Sequence, residues 1–500
     1  MSCIAVLFLT GIYLMFFYTP SSAIVQHNGA YMPLRGVEMS QALDSTLRIT
    51  FDLRAGLLMR QAHHWAGLLL PASIIMQLIT TFFTGGFRRP RRASWVLLFS
   101  IFIVALLGGW SGYALPDDLL SGTGLRITEG IALAIPFVGS QLANLLFGGQ
   151  YPGEILAHLY PIHVAVAPAL LLLLLPIRGW LSLSRRSPQF AGAGRAEDNV
   201  VGIPLLPNAA VRAVGLFTLV GAVILLIAAT VTVNPIWLYG PTAPGNASAG
   251  SQPDWYTGFL DGALRLVPPG WEVEWLGRTW TLAILLPLVV VGTFLTLVAT
   301  YPFVEEWITD DRREHHILDR PRNTPTRTAI GVIALTFYGV LWGTGSADII
   351  ATQFHLPLEL LVTFFQLALL IVPPLSFVLT RRVCLALRRR DAEVVLHGYE
   401  TGRIVRLPGG AYVEVRAPLD AYERWRLLDV PDCAVLELPR GEVGRATIAR
   451  RIRSQLSQLF FEDRISPVTL AELHESSNES AASQHASSTW PMQLQNETRR

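Results

Sequence analysis

The stretch Arg60-Gln-Ala-His-His-Trp65 stands near the head of a run, 58–84, that is otherwise almost wholly apolar. The hydrocarbon core of a bilayer takes about 20 residues of helix, and this run is long enough. Imidazoles inside such a helix are costly, and by default they mark function. Seven runs of similar character lie near 2–19, 94–115, 155–178, 210–233, 278–300, 328–346 and 358–380. The run at 155–178 holds Pro161 and Pro168, which membrane helices tolerate where neighbours satisfy the freed carbonyls. Composition agrees. Of the 500 residues, 51% are hydrophobic and 15% charged, against about 25% charged in soluble domains. The mean hydropathy is +0.41. The expectation is an all-α polytopic membrane protein with about eight transmembrane helices, not a disordered chain, a coiled coil or a disulfide scaffold. A net charge of +2 with its charges clustered in short loops says nothing of nucleic acid. Cys3, Cys384 and Cys433 are too scattered for a zinc site or a redox pair.

Arginines sort the loops. Arg88, Arg89, Arg91 and Arg92 follow the second run, Arg178, Arg185 and Arg186 the fourth, Arg312, Arg313, Arg320, Arg322 and Arg327 the sixth, and Arg381, Arg382, Arg388, Arg389 and Arg390 the eighth. In an alternating chain these clusters share one side, which the positive-inside rule makes the cytoplasm. Segments 20–57, 116–154 and 234–277 are then extracytoplasmic and the C-terminus cytoplasmic. The first run ends in Tyr18-Thr-Pro-Ser-Ser-Ala23, as a cleaved leader would, but lacks the positive residues that precede one. Past 390 the pattern changes. Arg403-Ile-Val-Arg-Leu407 and Ala411-Tyr-Val-Glu-Val415 alternate around glycines 409 and 410, which predicts strands in a small cytoplasmic extension. Residues 470–500 are rich in Ser, Asn, Gln and Glu and are expected to be disordered.

Among eleven histidines, two stand out. His63, with neighbour His64, lies early in the second run, and His163 lies in the first half of the fourth. Both runs cross in the same direction, so the two sit at similar depth toward the outer leaflet. Each has a plain structural reading, a hydrogen bond to a backbone carbonyl. Two at matched depth also form the arrangement that clamps a haem iron from both faces. Gly11 and Gly112 lie near the outer ends of their helices, where they leave room for a porphyrin edge or for simple helix packing. Arg60, one turn before His63, suits a haem propionate or an interfacial position with its charge in water.

With these residues, further motifs carry a family resemblance: Leu9-Thr-Gly-Ile-Tyr-Leu14, Gly112-Tyr-Ala-Leu-Pro-Asp-Asp-Leu-Leu-Ser-Gly-Thr-Gly124, Gly153-Glu-Ile-Leu156, Asn199-Val-Val-Gly202, Asn234-Pro-Ile-Trp237 and Ala249-Gly-Ser-Gln-Pro-Asp-Trp-Tyr256. Over residues 5–415 the chain resembles the cytochrome b subunit of cytochrome bc1-type menaquinol–cytochrome c reductases, in the actinobacterial form with a cytoplasmic extension. The resemblance implies a haem-binding bundle at 1–205, a second membrane domain with the quinol loop at 206–390, an extension at 391–465 and a tail at 466–500. It implies haem b held by His63 and His163 as metal ligands, with Gly11, Arg60 and Gly112 around it. Pro253, Asp254, Trp255 and Tyr256 match the family's Pro-Glu-Trp-Tyr motif, which lines the outer quinol-oxidation site. There Asp254 would accept a proton released by the hydroquinone, and Tyr256 would shape and polarise the pocket. Implied partners are a Rieske-type iron–sulfur protein and a cytochrome c-type subunit, in a dimeric complex of the plasma membrane.

The inner half departs from the family, whose two haem helices each carry two histidines about four turns, roughly 21 Å, apart. Fourteen positions after His63 stands Gln77, and fifteen after His163 stands Arg178. Fourteen before Gly112, where the family keeps glycine, stands Leu98. Gln is a weak iron ligand and Arg, always protonated, is none. One outer haem b and no inner haem are therefore expected, and a complete Q cycle is doubtful. A respiratory quinol–cytochrome c oxidoreductase subunit is the first functional reading. A paralogue without turnover, acting as a single-haem relay or an assembly subunit, is the second. A transporter has little support, since the runs hold few acidic residues and no inverted repeat.

Overall fold

The computed structural model describes residues 1–149, 154–192, 194–243, 245, 252–420, 423–424, 427, 435–436 and 447–461. The expected tail at 466–500 lies outside the described residues, as do Gly153, 249–251 and much of 421–465.

Helix follows apolarity. Among the described residues, seven helical segments are long and apolar enough to cross a membrane. They are α3 (Gly56–Phe83), α4 (Arg92–Ala114), the composite of α7 (Ile155–Pro161), a π-turn at Ile162–Val166 and α8 (Ala167–Ser184), then α9 (Ala210–Thr230), α11 (Leu282–Thr309), α12 (Pro325–Gly345) and α14 (Leu358–His397). The π-turn falls between Pro161 and Pro168, where the missing N–H groups interrupt the regular ladder. The first run forms α1 (Ser2–Met15), a shorter apolar helix of 14 residues. It packs into the bundle: Cys3 is buried in one core with Ile74, Leu98 and Phe102.

The long connections fold into short helices that the runs do not announce. These are α2 (Gln41–Phe51), α5 (Leu119–Leu133), α6 (Gly139–Phe147), α10 (Gly258–Arg265) and α13 (Ala347–Phe354). Their starts carry local signals. Ser40 Oγ accepts from the Leu43 N–H at 3.3 Å, and Asp118 Oδ2 from the Leu120 N–H at 3.1 Å, each an N-cap.

Among the described residues the strands form two-stranded pairs. β1 (Ile24–Gln26) pairs antiparallel with β2 (Glu38–Ser40). β3 (Gln189–Phe190), after α8, pairs parallel with β6 (Ile317–Leu318), after α11. β4 (Glu272–Trp275) and β5 (Arg278–Thr281) form a hairpin just before α11. The run expected at 278–300 therefore begins as strand and turns helical at Leu282. β7 (Tyr399–Arg406) and β8 (Tyr412–Ala417) pair antiparallel in the alternating segment. α14 reaches them without a break, running past the arginines at 381–390 to His397.

The arginine clusters meet at one end of the bundle. Arg327 holds Glu305 (Nε to Oε2 2.9 Å) and Asp319 (2.5 Å). Arg88 also reaches Asp319 at 2.8 Å, and Arg89 and Arg92 share Glu306. The two arginines hold the Asp319 carboxyl below its ordinary value, despite the upward push of burial. The helix Ile448–Phe461 also docks here. Its Phe460 and Phe461 pack on Ile308, and the Leu459 carbonyl accepts from Thr326 Oγ1 at 3.0 Å.

At the other end α10 lies directly on α12. A Cβ at Gly262 would stand 1.7 Å from the Leu341 carbonyl oxygen, and one at Gly345 2.3 Å from the Gly258 carbonyl oxygen. Gly262→Ala must therefore push two backbones apart. The expected cost is at least the ~1–3 kcal/mol of ordinary overpacking, read as a lowered thermal midpoint of the purified protein.

Candidate functional site

His63 on α3 and His163 in the π-turn face each other. Their ring centroids are 6.0 Å apart and their planes 69° apart. Both rings are half-buried, not sealed. Each is seated against a glycine. A Cβ at Gly11 would approach His63 Cε1 to 3.1 Å, and one at Gly112 would approach His163 Cε1 to 2.5 Å. In this arrangement the two glycines make room for the imidazoles themselves.

Hydrogen bonds orient both rings. His163 Nδ1 lies 2.9 Å from the Gly108 carbonyl oxygen and 3.3 Å from Ser111 Oγ. A carbonyl only accepts, so Nδ1 donates and Nε2 keeps its lone pair. His63 Nδ1 lies 3.0 Å from Thr10 Oγ1, whose own hydrogen goes to the Val6 carbonyl at 2.5 Å. Thr10 therefore accepts from Nδ1, and Nε2 is again the free donor atom. Two metal–imidazole bonds of about 2 Å put the ligating nitrogens about 4 Å apart, with the rings extending beyond them. A centroid separation of 6.0 Å suits two imidazoles on one ion. Seat, tautomer and spacing fit a bis-imidazole haem iron at this position. Thr10 and Ser111, each one residue before its glycine, were not singled out from the sequence. The repeated hydroxyl–glycine dipeptide is the signal that marks them.

Arg60 is buried rather than extended into water. Its Nη1 and Nη2 donate to the Asn234 carbonyl at 3.4 and 3.5 Å, and its guanidinium stands over the Trp237 ring at 5.4 Å. Its Nε has no hydrogen-bond partner among the described residues. The next residues continue the seam. Gln61 exchanges two bonds with Val233, at 3.0 and 2.8 Å, and Trp65 Nε1 donates to the Val231 carbonyl at 2.8 Å.

The Pro253–Tyr256 segment lies beside this pair. Tyr256, 2% exposed, donates to Asp254 Oδ2 at 2.7 Å. Burial, with the Asp254 carboxylate next, pushes the Tyr256 phenol well above its ordinary value, so it stays a donor. The ring fits only because Gly109 has no side chain, since a Cβ there would stand 2.2 Å from the hydroxyl oxygen. Trp255 Nε1 donates to the Leu68 carbonyl on α3 at 3.2 Å, and Trp342 Nε1 to the Trp255 carbonyl at 2.9 Å. Tyr113, within the Gly112–Gly124 motif, donates to the Gln252 carbonyl at 3.2 Å. Asp348 accepts from Gln252 Nε2 at 2.6 Å and is itself held by Arg265. His64 Nε2 stands 3.6 Å from Asp254 Oδ1, so adjacent histidines serve the ring pair and the carboxylate. These long-range contacts carry no local sequence signal.

The inner positions hold something else. Arg178 Nη2 donates to Gln77 Oε1 at 3.3 Å. Leu98 is 3% exposed, in a core shared with Ile74, Leu78, Ile101, Phe102 and Leu171. This donor set, an amide and a guanidinium bonded to each other, does not fit a haem iron.

Helices, paired imidazoles and carboxylate loop together define a membrane bundle of the cytochrome b type, and comparison with known proteins places it further. Residues 68–241 match the family described as cytochrome b(N-terminal)/b6/petB. The cytochrome bc1 complex cytochrome b subunit of Streptomyces coelicolor is 43% identical over 481 residues, 94% of this chain and 88% of that protein. That of Mycobacterium tuberculosis is 43% identical over 419 residues, 83% of this chain and 75% of that one. A solved hyperthermophilic respiratory Complex III shares the fold at 18% identity, with a TM-score of 0.56 over 77% of this chain and 89% of that one. The chain belongs to the family of cytochrome b subunits of the cytochrome bc1 complex, and it is a multi-pass membrane protein.

Proposed function

We propose that this subunit oxidises menaquinol at the histidine end of the bundle, on the extracytoplasmic side, and carries one haem b there. The observation that carries the reading is the His63–His163 pair, 6.0 Å apart with both Nδ1 atoms engaged, beside the Asp254–Tyr256 pair. Haem b, when bound, supplies a one-electron acceptor. His63 and His163 would hold it, with Gly11 and Gly112 keeping their rings in place and Arg60 supplying positive charge for a propionate.

Oxidising a hydroquinone releases two protons and two electrons, so a base must lie within hydrogen-bond reach of the hydroxyl. Asp254 is that base. Tyr256 takes one lone pair of Oδ2 and fixes the carboxylate, leaving Oδ1 to receive the proton. Trp255 and Trp342, tied to each other and to α3, hold the loop and exclude water. The second electron requires a partner, of the Rieske iron–sulfur class with a cytochrome c-type subunit beyond it. The arginine end, by the charge rule, faces the cytoplasm and bears the C-terminal extension.

At the inner position Gln77, Leu98 and Arg178 do not suit a second haem, so we assign one haem per chain. A haemochrome assay set against polypeptide concentration should give a ratio of one, with a single bis-imidazole species. A ratio of two would overturn the assignment. A paralogue without turnover shares every one of these residues; quinol-driven reduction of the haem separates the two readings.

A further inference from the structure

The β4–β5 hairpin has two chemically opposite faces, a property independent of the redox reading. Its register pairs Val273 with Trp280 and Trp275 with Arg278, and pairs Glu272 with Thr281 and Glu274 with Thr279. Side chains alternate along a strand. Val273, Trp275, Arg278 and Trp280 therefore share one face, and both carboxylates lie on the other with the two threonines. At the turn Leu276 is 69% exposed, and Trp275 beside it is 60% exposed. The Trp275 and Trp280 rings lie 5.4 Å apart, and Trp280 lies 6.0 Å from Phe137. Phe137 and Val138, both exposed, extend the apolar surface onto the α5–α6 connection.

The covalent path fixes what covers this face. β5 ends at Thr281 and α11 begins at Leu282 with no linker. The Ala283 N–H donates to the Trp271 carbonyl at 3.3 Å, which ties the hairpin's base to the first turn of the span. The hairpin is thus held at the level where α11 enters the bilayer. Leu286, Val289 and Val290, on the next turns of α11, are exposed as well. Tryptophan is the residue favoured at that depth. A two-stranded hairpin has unpaired edges that hydrocarbon does not tolerate, so the headgroup layer, where water still reaches the backbone, is its limit.

We propose that the tryptophan face of residues 272–281 lies in the phospholipid headgroup layer at the histidine end of the bundle, with Glu272 and Glu274 turned to water. Arg278, on the apolar face, then sits at phosphate depth. The hairpin fastens the α10–α11 connection, which follows the Pro253–Tyr256 segment, at the membrane surface.

The test uses the complex purified with its own subunits in phosphatidylglycerol-containing nanodiscs, with Cys3, Cys384 and Cys433 changed to serine. Nitroxide labels go on V273C and E274C, neighbouring exposed positions on opposite faces. Dissolved oxygen should relax the label at 273 more strongly than a water-soluble nickel chelate does, and the order should reverse at 274. Equal access of the chelate to both would place the hairpin in water and overturn the proposal. Exclusion of both reagents from 273 would also overturn it, because a partner subunit would then cover the face.

Discussion

Replacing His163 by alanine should remove the haem while leaving the chain in the membrane. On the proposed reading the iron would keep one protein ligand in place of two, and the stoichiometry should fall from the proposed one per chain to near zero. His63→Ala should do the same, because among the described residues neither ring has a neighbouring histidine positioned to replace it: His64 stands against Asp254 at 3.6 Å. A graded control separates ligation from packing. Ser111→Ala removes only a hydroxyl 3.3 Å from His163 Nδ1. Losing such an outer partner costs about 10–100-fold in metal-site affinity or activity, so S111A should retain haem at high supply. Gln77→Ala and Arg178→Ala should leave the reduced-minus-oxidised spectrum as it is. Full haem content in H163A, measured with the protein still monodisperse, would remove the ring pair from the site.

Asp254→Asn is expected to slow quinol-driven reduction of the haem by about 10²-fold or more, the usual worth of a positioned general base. Asparagine keeps the shape and can still accept from Tyr256 through its amide oxygen, but it takes no proton. The loss should therefore fall on kcat and leave haem content unchanged. Asp254→Glu should recover much of the rate, since glutamate restores the carboxylate with one more methylene. Tyr256→Phe should cost less, near the ~1.5 kcal/mol lower end for one hydrogen bond to a charged group. Stopped-flow reduction under a menaquinol analogue reads all three. A D254N rate within threefold of the parent would take the carboxylate out of proton transfer.

Much of this was legible because the bilayer imposes a simple rule. Long apolar runs become helices, and the seven spans follow the runs closely. His63 and His163 were readable as a pair because helix rise alone puts them at matched depth. The errors have physical causes. The run at 278–300 began too early because Trp280 and Thr281 suit a membrane helix by composition and a strand by alternation. α14 overran its apolar segment because arginines, good helix formers, carried it on as far as His397. The approach of His64 to Asp254, 190 positions away, depends on how α3 meets the loop, which no local pattern encodes. The Gln77–Arg178 contact was equally hidden, although both residues had been singled out as departures.

Two seams of the bundle are fastened by different chemistry. At the arginine end, guanidinium–carboxylate pairs join the helix ends, and such pairs weaken as acid protonates the carboxylates. The seam from Arg60, Gln61 and Trp65 to residues 231–234 instead uses guanidinium, amide and indole donors on main-chain carbonyls, none of which titrates near neutrality. If quinol sheds its protons at that end, a local burst of acidity leaves the stitching between the two halves intact.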